Sequence, residues 1–406
     1  MISEPATVFV WKWLPGACDP VVCGRLDDDG TTISFTYARS FRERSGADPI
    51  YLPELPLTAG QHYAAAGDRL PLAIDDAMPD SWGRRVINHR LGQPTAELPD
   101  LTYLLESGSD RIGSLDFQTS PTMYVPRAVS HPSLDELNEA AYRLQEGLPL
   151  NKELEDALAH GSEIGGARPK ALVHQDGRTF IAKFESSADT FPVVQGEFVA
   201  MRLAALAGVD AAPVQLTRAA GRYTLLVQRF DRDGDLRRGV VSALTILGMR
   251  PYPEGRYATY TEFADEIRAR FTDPDTTLRE LFARISFSIL CGNTDDHGRN
   301  HAAFTGPGLE LVLTPAYDIC PQARTGTTAR QAMGFTADGQ RDSRIALLVG
   351  AAAIFHLTAA QATAVVDAQV NTIRDNWDSV CTEANLTRAQ RDAFMGTQFL
   401  NPYVFS

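Results

Sequence analysis

The sequence predicts an α+β protein, with a strand-rich N-terminal region and a mostly helical C-terminal region. In the first region, alternating apolar residues bounded by turn residues predict short strands at 7–13, 21–26 and 32–37. Later apolar residues recur at helical spacing. They predict helices at 260–271, 277–291, 344–355, 359–377 and 387–395.

Changes in pattern along the chain predict three regions, at 1–125, 126–240 and 241–406. The middle region opens at Ser133, where Ser-Leu-Asp-Glu is a capping box for a helix that reaches residue 144. The boundary at 240 is the less sharply marked, because no segment rich in proline or glycine accompanies it.

Composition describes a soluble globular protein of 406 residues, because 44% are hydrophobic and 22% are charged. No apolar run would span a membrane and the first residues form no signal peptide, so we expect a cytoplasmic protein without membrane association. The five scattered cysteines indicate neither a disulfide framework nor a zinc site. The net charge of −13 argues against a main DNA-binding surface in this chain and suits a basic, DNA-bound partner.

The most informative segment is residues 291–302, Cys-Gly-Asn-Thr-Asp-Asp-His-Gly-Arg-Asn-His-Ala. Asp295 and Asn300 have the spacing that kinase catalytic loops use between the base and a magnesium-ligating amide. Phosphoryl transfer needs one carboxylate to deprotonate the attacking hydroxyl and hard oxygen ligands for Mg²⁺. Asp295 suits the first task, and Asn300 and Asp318 suit the second. Predicted strands at 302–304 and 309–313, joined by Gly-Pro-Gly, would return Asp318 to the side of Asn300.

Two other interpretations of this segment stay open. In the first, Asp295 caps a helix and its neighbours form a solvated turn, but this leaves Asp318 unexplained. In the second, the segment holds a transition metal of a phosphohydrolase. The ligands would be Asp295, Asp296, His297 and His301. Gly298 would then lie inside the helix that such a site requires, and the glycine-rich segment upstream would have no role.

That glycine-rich segment is residues 161–170, Gly-Ser-Glu-Ile-Gly-Gly-Ala-Arg-Pro-Lys. It has the composition of a phosphate-binding loop, since glycines let backbone amides approach an anion without interference from Cβ. It is not a Walker A loop, because Lys170 is followed by alanine and a predicted strand rather than by Ser or Thr and a helix. Strands at 171–174 and 179–184 form a predicted hairpin with Asp176-Gly177 at its turn.

Lys183 is the candidate phosphate ligand of this hairpin. Alternation places it with Ile181 on one face of the strand, opposite three apolar residues. A lysine in an apolar strand needs an anionic partner, which ATP phosphates or Glu197 on a helix predicted over 193–208 would supply. An edge-strand lysine that reaches solvent is the alternative, and the preceding glycine loop favours phosphate.

An apolar strand from residue 223 ends at Gln228-Arg229-Phe230-Asp231-Arg232, where the predicted helical region begins. In kinases the adenine docks on such a connector, so the backbone near Gln228 and Phe230 is a candidate adenine contact. The alternative is that Phe230 is simply a core residue. Six features follow one another along the chain in the order found in a two-lobed protein-kinase-like fold. They are the glycine loop, the strand lysine, the helix glutamate, the connector, the Asp-x4-Asn segment and the distal aspartate.

These segments together resemble the HipA family, serine/threonine kinases that act as toxins of bacterial toxin–antitoxin modules. The matching motifs are Gly-Gly-Ala-Arg-Pro-Lys, Ile-Ala-Lys-Phe, Val-Gln-Arg-Phe-Asp-Arg, Gly-Asn-Thr-Asp-Asp-His-Gly-Arg-Asn and Pro-Ala-Tyr-Asp-Ile. Asp76-Ala-Met-Pro-Asp-Ser-Trp-Gly83 and Ser109-Asp-Arg-Ile-Gly113 resemble parts of that family's N-terminal region. The resemblance therefore covers most of the chain.

The resemblance implies a catalytic base at Asp295 and Mg²⁺ ligands at Asn300 and Asp318. The nucleotide contacts expected for ATP are Gly165, Gly166, Ala167, Lys183, Gln228, Arg229, Phe230, His297 and Arg299. The resemblance also implies a HipB-like helix-turn-helix antitoxin that binds operator DNA. The expected substrate is a translation factor such as an aminoacyl-tRNA synthetase, whose phosphorylation would arrest growth.

The chain departs from the family pattern at two positions. Family members commonly have serine directly before the residue that matches Ile164, where this chain has Glu163, with Ser162 one residue earlier. Autophosphorylation would therefore use Ser162, be mimicked in part by the Glu163 charge, or be absent, since phosphate adds about −1.5 to −2 charges and glutamate one. Gln228 stands where the family often has glutamate, which matters little if only its backbone contacts adenine.

Two rival functions share much of this pattern. One is a catalytically weak pseudokinase scaffold that acts as a corepressor with a DNA-binding antitoxin. Every position predicted to be catalytic has a residue type that can perform its role, which favours an active enzyme instead. The other is a small-molecule kinase of the aminoglycoside-phosphotransferase type, which would not explain the N-terminal resemblance.

Overall fold

The computed structural model describes residues 6–65, 67–127, 132–159, 167–250, 254–324 and 326–406. The predicted α+β class is confirmed, with most strands before residue 242 and long helices after it. The chain forms two compact units. The N-terminal unit comprises Met1–Ala188, Arg218–Val241 and Phe304–Leu309, and the C-terminal unit comprises Asp189–Thr217, Ser242–Ala303 and Glu310–Ser406. The three-region division at 125 and 240 stays a prediction.

The strands of the described residues are β1 (Thr7–Lys12), β2 (Val21–Asp28), β3 (Ile33–Tyr37), β4 (Gln61–His62), β5 (Leu115–Gln118), β6 (Lys170–Gln175), β7 (Arg178–Phe184), β8 (Val214–Ala219), β9 (Arg222–Gln228), β10 (Arg232–Asp233), β11 (Leu236–Arg237), β12 (Val240–Ser242), β13 (Ala302–Thr305) and β14 (Leu311–Leu313). The five predicted in the first 185 residues are all present, with ends shifted by up to two residues.

The helices of the described residues are α1 (Arg39–Arg42), α2 (Leu72–Asp75), α3 (Ser81–Arg90), α4 (Asp100–Glu106), α5 (Leu134–Gln145), α6 (Lys152–Ala159), α7 (Val193–Leu206), α8 (Ala243–Ile246), α9 (Tyr260–Arg270), α10 (Pro274–Cys291), α11 (Ile345–Gly350), α12 (Ala359–Glu383) and α13 (Arg388–Phe394). Short 3-10 turns lie at Glu254–Tyr257, Gly298–Asn300, Ala352–Phe355 and Pro402–Phe405.

The first sheet of the N-terminal unit has the strand order β4-β3-β2-β1-β5 and is antiparallel where its pairing is resolved. The alternation that predicted β1 is visible in the fully buried Val8 and Val10. Helix α3 in this region was not predicted, and the side chain of its N-cap residue, Asp80, makes no capping hydrogen bond. It is stabilised instead by burial of Trp82, Val86 and Ile87, a tertiary effect that a local sequence signal does not reveal.

The second sheet of this unit contains β6, β7 and β9 side by side and antiparallel. Asp176 and Gly177 both have positive φ, at 51° and 72°, as the predicted two-residue hairpin turn requires. Helix α5 begins with the predicted capping box between Ser133 and Glu136. Its apolar face joins β6, β7 and β9 in one core cluster with α3 and α6, which fixes the strand that carries Lys183.

The C-terminal unit is built around α10 and α12. Helix α10 starts at Pro274, one turn earlier than predicted, because Asp273 caps it and proline suits the first helical turn. The prediction of one continuous helix over 344–355 was wrong. Helix α11 ends at Gly350, and a 3-10 turn follows it. Glycine is a poor residue inside a helix, which accounts for the break.

Candidate active site

Helix α10 ends at the loop that carries the candidate catalytic residues. Gly292 terminates it with a left-handed backbone, φ 73°. A Cβ at this position would lie 2.9 Å from the Gln398 carbonyl oxygen, so glycine is needed both for conformation and for space. The Gly292 carbonyl accepts a 3.0 Å hydrogen bond from the backbone N–H of Gln322, which ties the loop to the segment that follows Asp318.

Asp295 lies at the exposed side of this loop, and its backbone organises the residues after it. Its carbonyl oxygen accepts hydrogen bonds from the His297 backbone N–H, at 2.9 Å, and from the Asn300 Nδ2, at 3.2 Å. Asn300 is buried at 8% exposure and ends the 3-10 turn that begins at Gly298. A Cβ on Gly298 would lie 2.6 Å from Leu244 Cδ2, so the turn packs closely on α8.

The predicted hairpin between Asn300 and Asp318 is present as β13 and β14, and the Thr314 N–H donates to the Ala302 carbonyl at 3.0 Å. Tyr317 donates a 2.7 Å hydrogen bond from its hydroxyl to the Arg299 carbonyl. Asp318 has a left-handed backbone, φ 58°, which is uncommon outside glycine, asparagine and aspartate. The sequence prediction that the hairpin returns Asp318 to this loop is confirmed.

Electrostatics also place Asp295 and Asp318 close together. Partial burial raises the pKa of the Asp295 carboxyl, His297 opposes this effect, and the negative charges of Asp318 and Asp296 add to it. A carboxyl group whose pKa is raised by a neighbouring carboxylate favours a cation or a shared proton between the two. Asp295, Asn300, Asp318, His297 and Arg299 therefore form one group within the C-terminal unit.

The transition-metal interpretation finds no support in the described residues. There, no group of three or more His, Cys, Asp or Glu side chains is arranged to hold a metal ion. Two of the proposed ligands are also used elsewhere, because His301 Nε2 lies 2.9 Å from Asp296 Oδ1 in the protein interior.

In the N-terminal unit, Lys183 is half-buried on β7, where Phe180, Ala182 and Phe184 face the core as predicted. Ala167 is exposed. The candidate residues Gly165, Gly166 and Ser162 lie outside the described residues. Lys170, which ends the predicted glycine-rich segment, was not among the predicted site residues; it is buried and stands directly opposite Lys183 in the β6–β7 register. Residues directly opposite each other in an antiparallel pair lie on the same face, so this register places two positive charges on one face of the hairpin.

The connector after β9 holds its shape through Arg229. The Arg229 backbone N–H donates to the Thr179 carbonyl at 2.9 Å, so this donor belongs to the sheet and not to a ligand. Its side chain is buried and contacts Asp231 through two hydrogen bonds of 3.0 and 2.8 Å. Phe230 is half-buried and meets the ring of Phe304 edge-on, with centroids 5.8 Å apart.

Asp231 belongs to a buried charge network that joins the connector to residues 110–113. Its Oδ2 accepts from the Gly113 N–H at 2.7 Å and from Arg232 at 2.7 Å. Arg229 Nη1 lies 3.1 Å from Asp110 Oδ1, and Arg232 also pairs with Asp110. Burial raises the pKa of Asp231, but the positive charges of Arg229 and then Arg232 lower it by more than burial raises it. The pKa of this carboxyl is therefore below its usual range. Both Ser109-Asp-Arg-Ile-Gly113 and Arg-Phe-Asp-Arg thus have a structural role.

No helix in the described part of the chain combines the length and apolar character that crossing a bilayer demands.

Comparison with known proteins agrees with this architecture. The family model for the HipA-like C-terminal domain matches residues 162–377, and that for the HipA N-terminal domain matches residues 17–118. The serine/threonine-protein kinase toxin HipA of Shewanella oneidensis is 25% identical over 332 residues, which cover 74% of this chain and 72% of the relative.

Among solved structures, the Shewanella oneidensis HipA, in a complex with HipB and its operator DNA, superposes with a TM-score of 0.71. The match covers 95% of this chain and 93% of that one at 19% identity, so it establishes the fold. Since the C-terminal family model alone matches more than half of the sequence, this chain belongs to the HipA family of serine/threonine protein kinases.

Proposed function

We propose that this chain transfers the γ-phosphate of ATP to a protein hydroxyl, with Asp295 as the base and Asn300 and Asp318 as the Mg²⁺ ligands. The observation that carries the proposal is that Asp295 is an exposed residue with a partly buried carboxyl, Asn300 bonded to its backbone and Asp318 close enough to influence its pKa. An exposed carboxylate can meet a substrate hydroxyl, which a buried one cannot. The rise in its pKa strengthens Asp295 as a base.

The donor set fits magnesium. Asn300 uses its amide nitrogen within the loop, so its oxygen is the atom that a cation would meet. Mg²⁺ in kinases takes few protein ligands, typically one or two oxygens together with phosphate and water. When bound, the ion would neutralise charge that develops on the transferred phosphate. The Tyr317 hydroxyl donates a hydrogen bond to the Arg299 carbonyl. This bond fixes the backbone directly before Asp318.

The proposed phosphate contacts in the N-terminal unit are Lys183 and the glycine-rich segment that includes Gly165, Gly166 and Ala167. Lys170 stands opposite Lys183 in the β6–β7 register, so it would add positive charge beside a bound phosphate. For adenine, backbone groups of Gln228 and Phe230 and the Arg229 carbonyl are the proposed contacts, since the Arg229 N–H is already bonded. His297 and Arg299 are proposed to complete the nucleotide contacts.

We further propose that the chain acts as a toxin whose substrate is a translation factor, such as an aminoacyl-tRNA synthetase. Its proposed partner is a HipB-like antitoxin that carries the contact with operator DNA. Family membership supports both ideas, and the acidic net charge of −13 suits a basic partner. A pseudokinase corepressor would have the same partner but would transfer no phosphate.

Labelling in a bacterial lysate tests this proposal. The purified chain is incubated with γ-labelled ATP and magnesium, and labelled proteins are identified by phosphopeptide mass spectrometry. We expect label on a discrete translation protein, and the same spectra map any phosphate on Ser162. Intact ATP binding without label on any protein would favour the corepressor.

A further inference from the structure

Two neighbouring carboxylates, Asp295 and Asp296, lie in opposite environments. Asp295 is exposed, whereas Asp296 is only 4% exposed. The Asp296 carboxylate is too deeply buried to meet a protein substrate. Its role must therefore be exerted through the residues that it contacts.

Three side chains from three separate segments of the chain hold the Asp296 carboxylate. The Tyr260 hydroxyl, at the first residue of α9, donates to Oδ2 at 2.5 Å. The Ser288 hydroxyl of α10 donates to the same oxygen at 3.1 Å. His301, directly after the 3-10 turn, contacts Oδ1 through Nε2 at 2.9 Å. Tyr260 and His301 also pack edge-on, with ring centroids 5.5 Å apart.

Ser288 and Tyr260 also bond to groups on both sides of Asp295. Ser288 accepts a 3.3 Å hydrogen bond from Asn293 Nδ2, two residues before Asp295. The Tyr260 hydroxyl lies 3.2 Å from the Asp296 carbonyl oxygen, one residue after it. The His301 carbonyl accepts from the Ala243 N–H at 2.8 Å, which fixes the far end of the loop on α8.

We propose that Asp296, held by Tyr260, Ser288 and His301, is a positioning residue that sets the direction of the Asp295 carboxylate toward the substrate hydroxyl. This inference rests on the proposed role of Asp295. A buried carboxylate held by three side chains stabilises one loop conformation, and loss of one of these contacts leaves buried groups unpaired. A displacement of about 1 Å at a reacting group can lower a rate by roughly 100-fold.

The test removes single hydroxyl groups and leaves the carboxylates in place. Tyr260→Phe and Ser288→Ala each delete one donor to Asp296. Their matched controls are Tyr103→Phe, a buried tyrosine of the N-terminal unit bonded to Asn88, and Ser286→Ala, a buried α10 serine bonded to Gln369. Turnover of γ-labelled ATP in lysate gives kcat and KM, and calorimetry with a non-hydrolysable ATP analogue counts the folded, nucleotide-binding molecules.

We expect Tyr260→Phe and Ser288→Ala to lower kcat per binding site by about tenfold or more, with KM for ATP within about twofold of wild type. The two controls should keep the wild-type kcat. Asp296→Asn, which retains an oxygen acceptor for Tyr260 and Ser288, should lose less activity than Asp296→Ala. A merely structural role would instead lower the number of binding sites or raise KM.

Wild-type kcat per site in both Tyr260→Phe and Ser288→Ala would overturn the inference, as would a change confined to KM. These variants differ by one oxygen atom each, so the test does not depend on Asp296→Ala being able to fold. If wild type turns over no more ATP than Asp295→Asn, the proposed function itself fails, and the inference fails with it. Activity in wild type that is lost in Asp295→Asn but unchanged in the hydroxyl variants would overturn the positioning role alone.

Discussion

Asp295 and Asp318, on opposite sides of the β13–β14 hairpin, are electrostatic neighbours. Partial burial raises the pKa of Asp295, His297 lowers it, and the Asp318 carboxylate raises it again. The hairpin therefore brings together two carboxylates, Asp295 and Asp318, that are far apart in the sequence. Such a pair would suit the divalent cation of the proposed magnesium–ATP complex.

The first prediction concerns Asp318. Asp318→Asn should remove most of the gain in ATP affinity that magnesium provides, because it deletes a negative oxygen ligand. The affinity measured by calorimetry with magnesium should fall by about tenfold, equivalent to ~1.4 kcal/mol. Asparagine tolerates the left-handed backbone of this residue, so the fold should be preserved. Affinity without magnesium serves as the control, and an unchanged magnesium effect would exclude Asp318 as a ligand.

The second prediction concerns Lys183. Lys183→Met keeps the length of the side chain but removes the ammonium group, so binding of magnesium-ATP should weaken by about tenfold, since charged hydrogen bonds contribute about 1.5–3 kcal/mol. Arg178→Met, at the exposed start of the same strand, is the matched control and should bind as wild type. Equal affinities for the two variants would argue that Lys183 has only a structural contact.

The third prediction concerns the buried network beside the connector. Asp231→Asn would leave Arg229 and Arg232 without their shared carboxylate, and removal of one partner from a buried ion pair typically costs about 3–5 kcal/mol. Denaturant unfolding should show this loss. Asp392→Asn, in an exposed pair with Arg388, should change stability by less than about 0.5 kcal/mol. If Asp231→Asn does not fold, Asp110→Asn provides the same comparison.

The fourth prediction is the pH dependence that this network produces. Burial raises the pKa values of Asp110 and Asp231, but the adjacent arginines lower them by more than burial raises them. Both pKa values are therefore below normal in the folded state. A lowered pKa in the folded state contributes stability that is complete above the unfolded pKa, about 3.9, and is lost as pH falls toward the folded value. The thermal midpoint should therefore fall steeply below about pH 4.

The matched control for this pH series is the Asp110→Asn variant, which has one fewer depressed carboxyl group. Its midpoint should be lower at neutral pH and should decline less on acidification. Parallel curves for the variant and wild type would show that the network does not contribute to acid sensitivity.

Local patterns predicted several elements well. The alternation in β7 and the Asp-Gly turn before it were sufficient to place Lys183 away from the core, because strand periodicity and turn chemistry act over a few residues. Helix α3 was missed although Asp80 stands at its N-cap position, and burial of Trp82, a tertiary effect, stabilises it in place of a side-chain cap. The single helix predicted over 344–355 ends instead at Gly350.

In the candidate site, too, features set by neighbouring residues could be predicted, whereas contacts between distant segments could not. The spacing of Asp295, Asn300 and Asp318 could be recognised because the hairpin that joins the last two is local. The contacts of Asp296 with Tyr260 and Ser288 join segments distant in sequence and required the tertiary structure. A local indication was Ser288, a polar residue within the apolar run of α10.

The central claim is that Asp295 is the base for phosphate transfer, and a comparison of wild type with Asp295→Asn tests it most directly. The measurement is transfer of γ-labelled phosphate in lysate, with ATP-analogue binding recorded on the same preparations. We predict that Asp295→Asn binds the analogue as wild type does but transfers phosphate at least about 1,000-fold more slowly, as expected when a catalytic group is removed. Full activity of Asp295→Asn would contradict the assignment of the base and the mechanism built on it.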